Sequence, residues 1–171
     1  AFEGSKEEAW KNYYTYGGLP QILARKKDEL KAKYLRDLFS KVYLADIVER
    51  NSLRGDVVMD TLVNILASSV GSLTNPSKLA NTFASKGIKV SDKTIGAYID
   101  YLQDAFLVNK AERYDIKARK YIASPFKYYF TDVGLRNVRL NFRQQEENHI
   151  MENIIYNELL VRDFNVDVGI V

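Results

Sequence analysis

The chain has 171 residues, no cysteine and one histidine, and 27% of its residues are charged. A chain of this length holds one ordinary domain, or a small domain with appendages, and a hydrophobic share of 46% supports a core. The composition excludes disulfides, thiolate zinc sites and histidine-rich metal sites, and no apolar run approaches the roughly 18 residues of a membrane span. Because the N-terminus also lacks the pattern of a signal peptide, the sequence predicts a cytoplasmic protein with no membrane partner.

The net charge of +3 is distributed unevenly along the chain. Residues 110–143 carry nine Lys or Arg against three acids, a net charge of +6, whereas residues 144–171 carry one Arg against six acids, a net charge of −5. A basic segment beside an acidic one is consistent with contact to nucleic acid, and equally with two faces of the protein that attract each other.

Two helices are predicted in the N-terminal third of the chain. The first, over residues 7–16, carries Trp10, Tyr13 and Tyr14 and ends before Gly17-Gly18, since glycine commonly terminates helices. The second is a long helix over residues 28–50. Its predicted apolar face consists of Leu30, Tyr34, Leu38, Val42 and Ile47, and its predicted solvent face of Lys27, Lys31, Lys33, Arg36 and Lys41.

Three further helices are predicted between residues 56 and 106. Asp56, Asn75 and Ser91 are the expected N-cap residues, because their side-chain oxygens can accept the free N–H groups of a first helical turn. Gly71 and Gly87 are the expected ends of the first two helices. The predicted core residues follow one-face helical spacing; they are Met59, Leu62, Val63, Leu66, Val70, Leu79, Ala80, Phe83, Ile95, Tyr98, Ile99, Leu102 and Phe106.

Two strand candidates follow these helices, at residues 106–108 and around residues 128–130, and a basic loop joins them. Helix, helix, turn, helix and hairpin is the order of a winged helix domain. The alternative is a small α+β bundle that uses this order only for packing. The sequence therefore predicts a mainly α protein of the α+β class, with a winged helix domain at residues 56–143.

The C-terminal region, residues 144–171, has a different pattern. Apolar residues from position 147 onwards predict another helix, and residues 165–171 alternate between apolar and polar as in a strand. This helix and strand are the expected opening of a truncated α/β piece.

Four short runs, in this order along the chain, resemble a known family. They are Tyr16-Gly17-Gly18-Leu19-Pro20, Ser91-Asp92-Lys93-Thr94-Ile95 with Tyr98-Ile99-Asp100-Tyr101-Leu102, the run from Lys127 to Arg136, and the run from Met151 to Leu159. With the long helix they resemble the region downstream of the ATPase module in a prokaryotic AAA+ ATPase family whose C-terminal part is called DUF4143. The resemblance implies that residues 1–55 are lid and linker helices following an absent ATPase module, and that residues 144–171 begin a restriction-endonuclease-like domain.

The sequence predicts no catalytic site within this chain. The phosphate-binding pattern G-x-x-x-x-G-K-[ST] is absent, so we expect no ATP cofactor here. The resemblance instead places ATP and Mg²⁺ in the upstream module. It also makes Glu152 the candidate catalytic residue, as a glutamate that assists a nuclease metal site. One carboxylate cannot organise a divalent metal, which needs several oxygen ligands, so a structural role for Glu152 is the expectation.

The predicted function is a non-catalytic region of an AAA+ ATPase that contacts duplex DNA through the wing and the third helix of the winged helix domain. One alternative is a protein-interaction or oligomerisation module, whose partner is its own ATPase module or a second copy. Another is an incomplete nuclease-like domain. The candidate phosphate-binding residues are Lys93, Lys110, Arg113, Lys117, Arg119, Lys120 and Lys127.

Overall fold

The structure, a computed structural model, describes residues 4–53, 57–143 and 147–170. Within these ranges no helix is long and apolar enough to cross a membrane. The described chain is largely helical and has one small sheet, which confirms the predicted mainly α, α+β class. Its helices and strands, in chain order, are α1 (Lys6–Tyr16), α2 (Pro20–Leu23), α3 (Asp28–Asp37), a π-helical segment (Leu38–Leu44), α4 (Ala45–Arg50), α5 (Val57–Ser68), α6 (Pro76–Ser85), α7 (Asp92–Asp104), β1 (Val108–Asp115), β2 (Lys120–Phe130), α8 (Val133–Arg139), α9 (Glu147–Val161) and β3 (Val168–Ile170).

Side-chain caps fix the starts of α6 and α7, as the sequence predicts. Asn75 Oδ1 accepts the N–H of Lys78 at 2.7 Å, and Ser91 Oγ accepts the N–H of Thr94 at 3.0 Å. Each bond satisfies one backbone donor that has no partner inside its helix. The predicted cap at Asp56 lies outside the described residues.

The predicted long helix spans α3, the π-helical segment and α4, but its buried face differs from the prediction. Leu35 and Phe39 are buried, whereas Leu30 is 49% exposed and Lys31, predicted on the solvent face, is only 5% exposed. The difference begins within α3, upstream of the π-helical segment, because α3 turns towards α1 the face from which Lys31 reaches Asn12. The side chain of Val42, also predicted on the inner face, lies outside what the structure describes.

The helices α5, α6 and α7 share one core, and most of its predicted members are buried. Phe106 is the exception: its side chain is 77% exposed and its φ is +53°, so the prediction that it faces the core is wrong. The cause is that α7 ends at Asp104 and the chain reverses direction. Leu107, which is fully buried and donates its N–H to the carbonyl of Leu102 at 3.0 Å, takes the core position instead.

The sheet has the order β2-β1-β3. β1 and β2 are antiparallel, and β3 lies parallel to β1 on its other side. Between two paired stretches β2 leaves β1, and Phe126 exchanges two backbone hydrogen bonds of 2.8 Å with Thr74, which precedes α6. On α9, the amide of Asn153 accepts the N–H of Phe130 at 2.9 Å and donates to its carbonyl at 2.7 Å. The C-terminal helix and strand therefore both pack on the hairpin.

Two of the runs that carry the family resemblance meet at Asp132. Its carboxylate accepts the N–H groups of Gly134 and Gly18, each at 2.8 Å, so that it caps α8 and holds the loop after α1. Burial raises the pKa of Asp132, although the backbone N–H groups that it accepts act in the opposite direction. A Cβ on Gly17 would collide with this carboxylate, and a Cβ on Gly134 with the carbonyl of Tyr16. Asp132 is thus a helix cap, and the glycines permit close docking of α1 on α8.

Candidate nucleic-acid interface

The tip of the β1–β2 hairpin presents three basic side chains. The two strands remain paired up to Asp115 and Lys120, and residues 116–119 turn the chain. Asp115 Oδ1 accepts the N–H of Ala118 at 2.7 Å, a bond between side chain and backbone that favours a tight turn. The exposed basic residues gathered at this tip, called the tip cluster below, are Lys117, Arg119 and Lys120.

The positive charge of the tip cluster is not neutralised internally. Among the described residues, no carboxylate forms an ion pair with any of its three side chains. Just below the tip, the rings of Tyr114 and Tyr121 lie edge to face with centroids 5.2 Å apart. The Tyr121 hydroxyl donates to Asp167 at 3.1 Å, and this bond raises the pKa of Tyr121. The tip is therefore a cationic end on an aromatic stem.

β3 braces the same end of the hairpin. It pairs with β1 from Arg113 to Asp115, and the N–H of Ile116 donates to the carbonyl of Ile170 at 3.1 Å. Arg113 is half-buried in this stem, with its Nε shielded from solvent and without a hydrogen-bond partner in the described structure. Of the predicted phosphate contacts, Arg113 thus lies beneath the tip cluster rather than in it.

Two other predicted contacts, Lys110 and Lys127, are engaged within the fold. Lys110 Nζ lies 3.1 Å from Glu112 and 4.7 Å from the ring centroid of Phe126. Lys127 Nζ donates to Glu152 Oε1 at 2.6 Å. A phosphate would have to compete with these partners, so we exclude both lysines from the candidate interface.

Glu152, the candidate catalytic residue, ties α9 to β2. Its Oε1 also accepts the hydroxyl of Tyr129 at 2.6 Å. Burial acts to raise the pKa of Glu152, but the hydrogen bonds from Lys127 and Tyr129 outweigh it and lower the pKa. In the described parts of the chain, no group of three or more His, Cys, Asp or Glu residues is placed to hold a metal ion. The observed contacts of Glu152 are those of a structural ion pair.

The first turn of α7 contributes a second, mixed set of charges. Lys93 is exposed there, as predicted, but Asp92 and Asp100 are exposed on the same helix. The sequence analysis missed Lys86 and Lys89, which are exposed in the turn between α6 and α7. Their position could have identified them, because the turn of a helix-turn-helix immediately precedes the helix that enters the groove.

Hydrogen bonds connect the hairpin to the start of α7. Asn75, the cap of α6, donates to Ser124 Oγ on β2 at 3.2 Å. Two residues further along, Ser77 Oγ on α6 lies 3.3 Å from Asp92 Oδ2 at the start of α7. From Ser124 to Lys120 the strand spans about 13 Å at the usual rise per residue. The start of α7 is thus linked through α6 to the hairpin at Ser124, four residues along β2 from Lys120.

Comparison with known proteins identifies a family without a known function. Residues 7–146 match the family described as a domain of unknown function (DUF8612), and the chain belongs to this family. An uncharacterised protein of Haemophilus influenzae is 35% identical over 163 residues, which cover 95% of the chain and 40% of that protein. Uncharacterised protein MJ1544 of Methanocaldococcus jannaschii is 28% identical over 152 residues, which cover 89% of the chain and 34% of that protein. The chain thus spans less than half the length of these curated relatives. No solved structure matches it significantly.

The family match corrects the family predicted from the sequence. Membership of the AAA+ ATPase family with a DUF4143 region is wrong, because the matching family is DUF8612 and these relatives are named only as uncharacterised proteins. The expectation of an upstream ATP-binding module, which rested on that resemblance, is withdrawn with it. Two of the runs on which the resemblance rested, residues 16–20 and 127–136, have a structural role in this protein, because they hold the end of α1 against α8 at Asp132.

Proposed function

We propose that this DUF8612 domain is a winged helix unit that binds duplex DNA through the tip cluster and the first turn of α7. The observation that carries the proposal is the tip cluster itself, three exposed cations gathered on a braced hairpin. The order α5, α6, turn, α7 and hairpin supports the winged helix assignment. The exposed lysines in the turn before α7 add positive charge next to that helix.

The distribution of charge predicts binding to the DNA backbone with little sequence preference. Contacts from a wing to phosphates fix the position of a protein on the duplex but carry no sequence information. Asp92 and Asp100 on α7 repel phosphate, and they weaken the contribution of the helix that would enter the major groove. We therefore expect weak binding that falls steeply with salt, because each phosphate contact releases counterions.

The test is a titration of fluorescently labelled duplex, followed by anisotropy, at several salt concentrations. The variant replaces Lys117, Arg119 and Lys120 together with Ala. The slope of log affinity against log salt is expected to shrink by up to about 2.7, from roughly 0.9 for each lost phosphate contact. The melting temperature is expected to change little, since isolated exposed charges contribute little to stability.

The matched control replaces Lys6, Lys27 and Lys41, three exposed lysines outside the hairpin, with Ala. It has the same net charge as the tip variant, so an effect of overall charge would appear equally in both. Equal slopes for the two variants, or no duplex binding by the native chain at micromolar concentration and low salt, would refute the proposal.

A docking role in protein–protein contact is the second candidate, and one observation favours it. On α1, Trp10 and Tyr13 are 42% and 36% exposed, and their ring centroids lie 6.2 Å apart. Exposed neighbouring aromatic side chains are typical of interface anchors. Self-association that increases with concentration, together with an absence of duplex binding at low salt, would favour this role over DNA binding.

A further inference from the structure

A buried lysine lies in the wall of a polar cleft between α1 and α3. Lys31 is 5% exposed, and its Nζ donates to Asp28 Oδ1 at 3.1 Å and to Asn12 Oδ1 at 3.2 Å. The same nitrogen lies 4.9 Å from the ring centroid of Tyr16. The cleft has a volume of about 440 Å³, within the range of small-molecule sites, roughly 300–1,000 Å³. Its wall also includes Glu8, Lys11, Thr15 and Lys26.

Both carboxylates of the cleft are engaged by the protein. Glu8 Oε2 accepts the N–H of Ser5 at 2.8 Å in the capping box that begins α1. Asp28 accepts the ammonium group of Lys31 and is hydrogen-bonded to the hydroxyl of Tyr16. Burial and then this carboxylate raise the pKa of Tyr16, which keeps the hydroxyl protonated as a donor. Neither acid therefore forms an ion pair with Lys11 or Lys26, and the three lysines and two carboxylates of the wall give the cleft a net charge of +1.

Several polar groups of the cleft that have no described partner can donate hydrogen bonds. Because Asn12 Oδ1 accepts from Lys31, the NH₂ group of its amide is left to donate. Within the described structure, the hydroxyl of Thr15 makes no hydrogen bond, and the exposed ammonium groups of Lys11 and Lys26 form no ion pair. A complementary ligand would be rich in acceptors and negatively charged.

We propose that this cleft binds a small molecule through its phosphate group. The cleft has a net positive charge, and the two ammonium groups that form no ion pair can each contact a phosphomonoester, whose charge is about −1.5 to −2 at neutral pH. Lysine binds phosphate as a point charge, whereas a planar carboxylate is best matched by the forked guanidinium of arginine. No arginine is found among the described residues that line this cleft. Lys31 holds Asn12 in the orientation that directs the amide donors away from the buried ammonium group. This site is separate from the hairpin and does not depend on DNA binding.

The test is an NMR titration of the ¹⁵N-labelled chain with inorganic phosphate at constant ionic strength. We expect saturable shifts at the side-chain amide of Asn12 and the backbone amide of Thr15. The double variant Lys11→Gln/Lys26→Gln is expected to weaken binding by on the order of tenfold or more, because both charge-assisted contacts are lost. Its fold is expected to persist, since both replaced side chains are exposed.

The control variant Lys41→Gln/Lys78→Gln removes two exposed lysines that lie on elements other than those forming the cleft. It is expected to retain the native affinity within about twofold, since distant exposed charges are screened by salt. The absence of saturable shifts at Asn12 and Thr15, or an equal loss of affinity in the control, would overturn the proposal. Malonate that shifts the same resonances with equal or higher affinity would overturn the assignment of phosphate as the ligand.

Discussion

Replacing two helical glycines by alanine should have opposite effects on stability. Gly96 lies inside α7, and a Cβ there would meet only Pro76 Cγ at 3.9 Å, an ordinary contact. Gly96→Ala should therefore stabilise the protein by up to about 1 kcal/mol, the difference in helix propensity between the two residues. In Gly134→Ala the new Cβ collides with the backbone carbonyl of Tyr16, which no side-chain rotation relieves. Either α1 moves or Asp132 loses its bond to the loop, at a cost of roughly 2–4 kcal/mol.

Thermal unfolding followed by far-UV circular dichroism measures both changes. For a chain of this size each 1 kcal/mol shifts the melting temperature by about 2–4 °C. Gly96→Ala should raise the melting temperature by up to that amount, and Gly134→Ala should lower it by about 4–16 °C. Urea titrations should give unchanged m-values if only stability changes. If Gly134→Ala melts within about 2 °C of the native chain, the close docking of α1 on α8 is refuted.

Two further predictions test the core and the ion pair on α9. Leu102→Ala should lower the free energy of unfolding by about 2–5 kcal/mol, because Leu102 is fully buried. Phe106→Ala should lower it far less, because Phe106 is exposed. Similar losses for the two variants in urea unfolding would contradict the observed exposure of Phe106. Because the folded-state pKa of Glu152 lies below its ordinary value of 4.5, its contribution to stability is present above that pH and is lost as the pH falls through the folded pKa. Glu152→Gln should thus lose less stability on acidification than the native chain, and parallel pH–stability curves for the two would show that the pair contributes nothing.

Features encoded by a few neighbouring residues could be predicted from the sequence. The caps at Asn75 and Ser91 need only a side chain and a backbone N–H three residues away, so local sequence determines them. The exposure of Phe106 could not be predicted in this way. Its spacing continues the apolar face of α7, and only the packing of Leu107 beneath the end of the helix shows where the chain turns.

The same distinction between local and non-local contacts applies to the candidate sites. The tip cluster could be predicted because a basic run between two strand candidates must lie in their connection. The burial of Lys31 could not, since it depends on the approach of Asn12, 19 residues earlier on another helix. Similarly, the sequence predicts Lys127 as a phosphate contact, whereas in the structure Lys127 forms an ion pair with Glu152, 25 residues later on α9. Sequence indicates which charges exist, and non-local packing determines which of them remain available.

The uneven distribution of charge along the chain shows which basic residues remain available for binding a partner. The sequence left two interpretations of the basic segment, contact with nucleic acid and attraction to the acidic C-terminal segment. The structure shows the second for Lys127, which pairs with Glu152 on α9, and a hydrogen bond from the uncharged Tyr121 hydroxyl to Asp167 joins the same two segments. The same contacts tie the C-terminal helix and strand to the hairpin without using the tip cluster. Internal attraction thus accounts for part of the basic segment and leaves the three charges of the tip cluster available for DNA. If the salt dependence of duplex binding corresponded to six phosphate contacts from the hairpin rather than about three, this assignment of the basic residues would be contradicted.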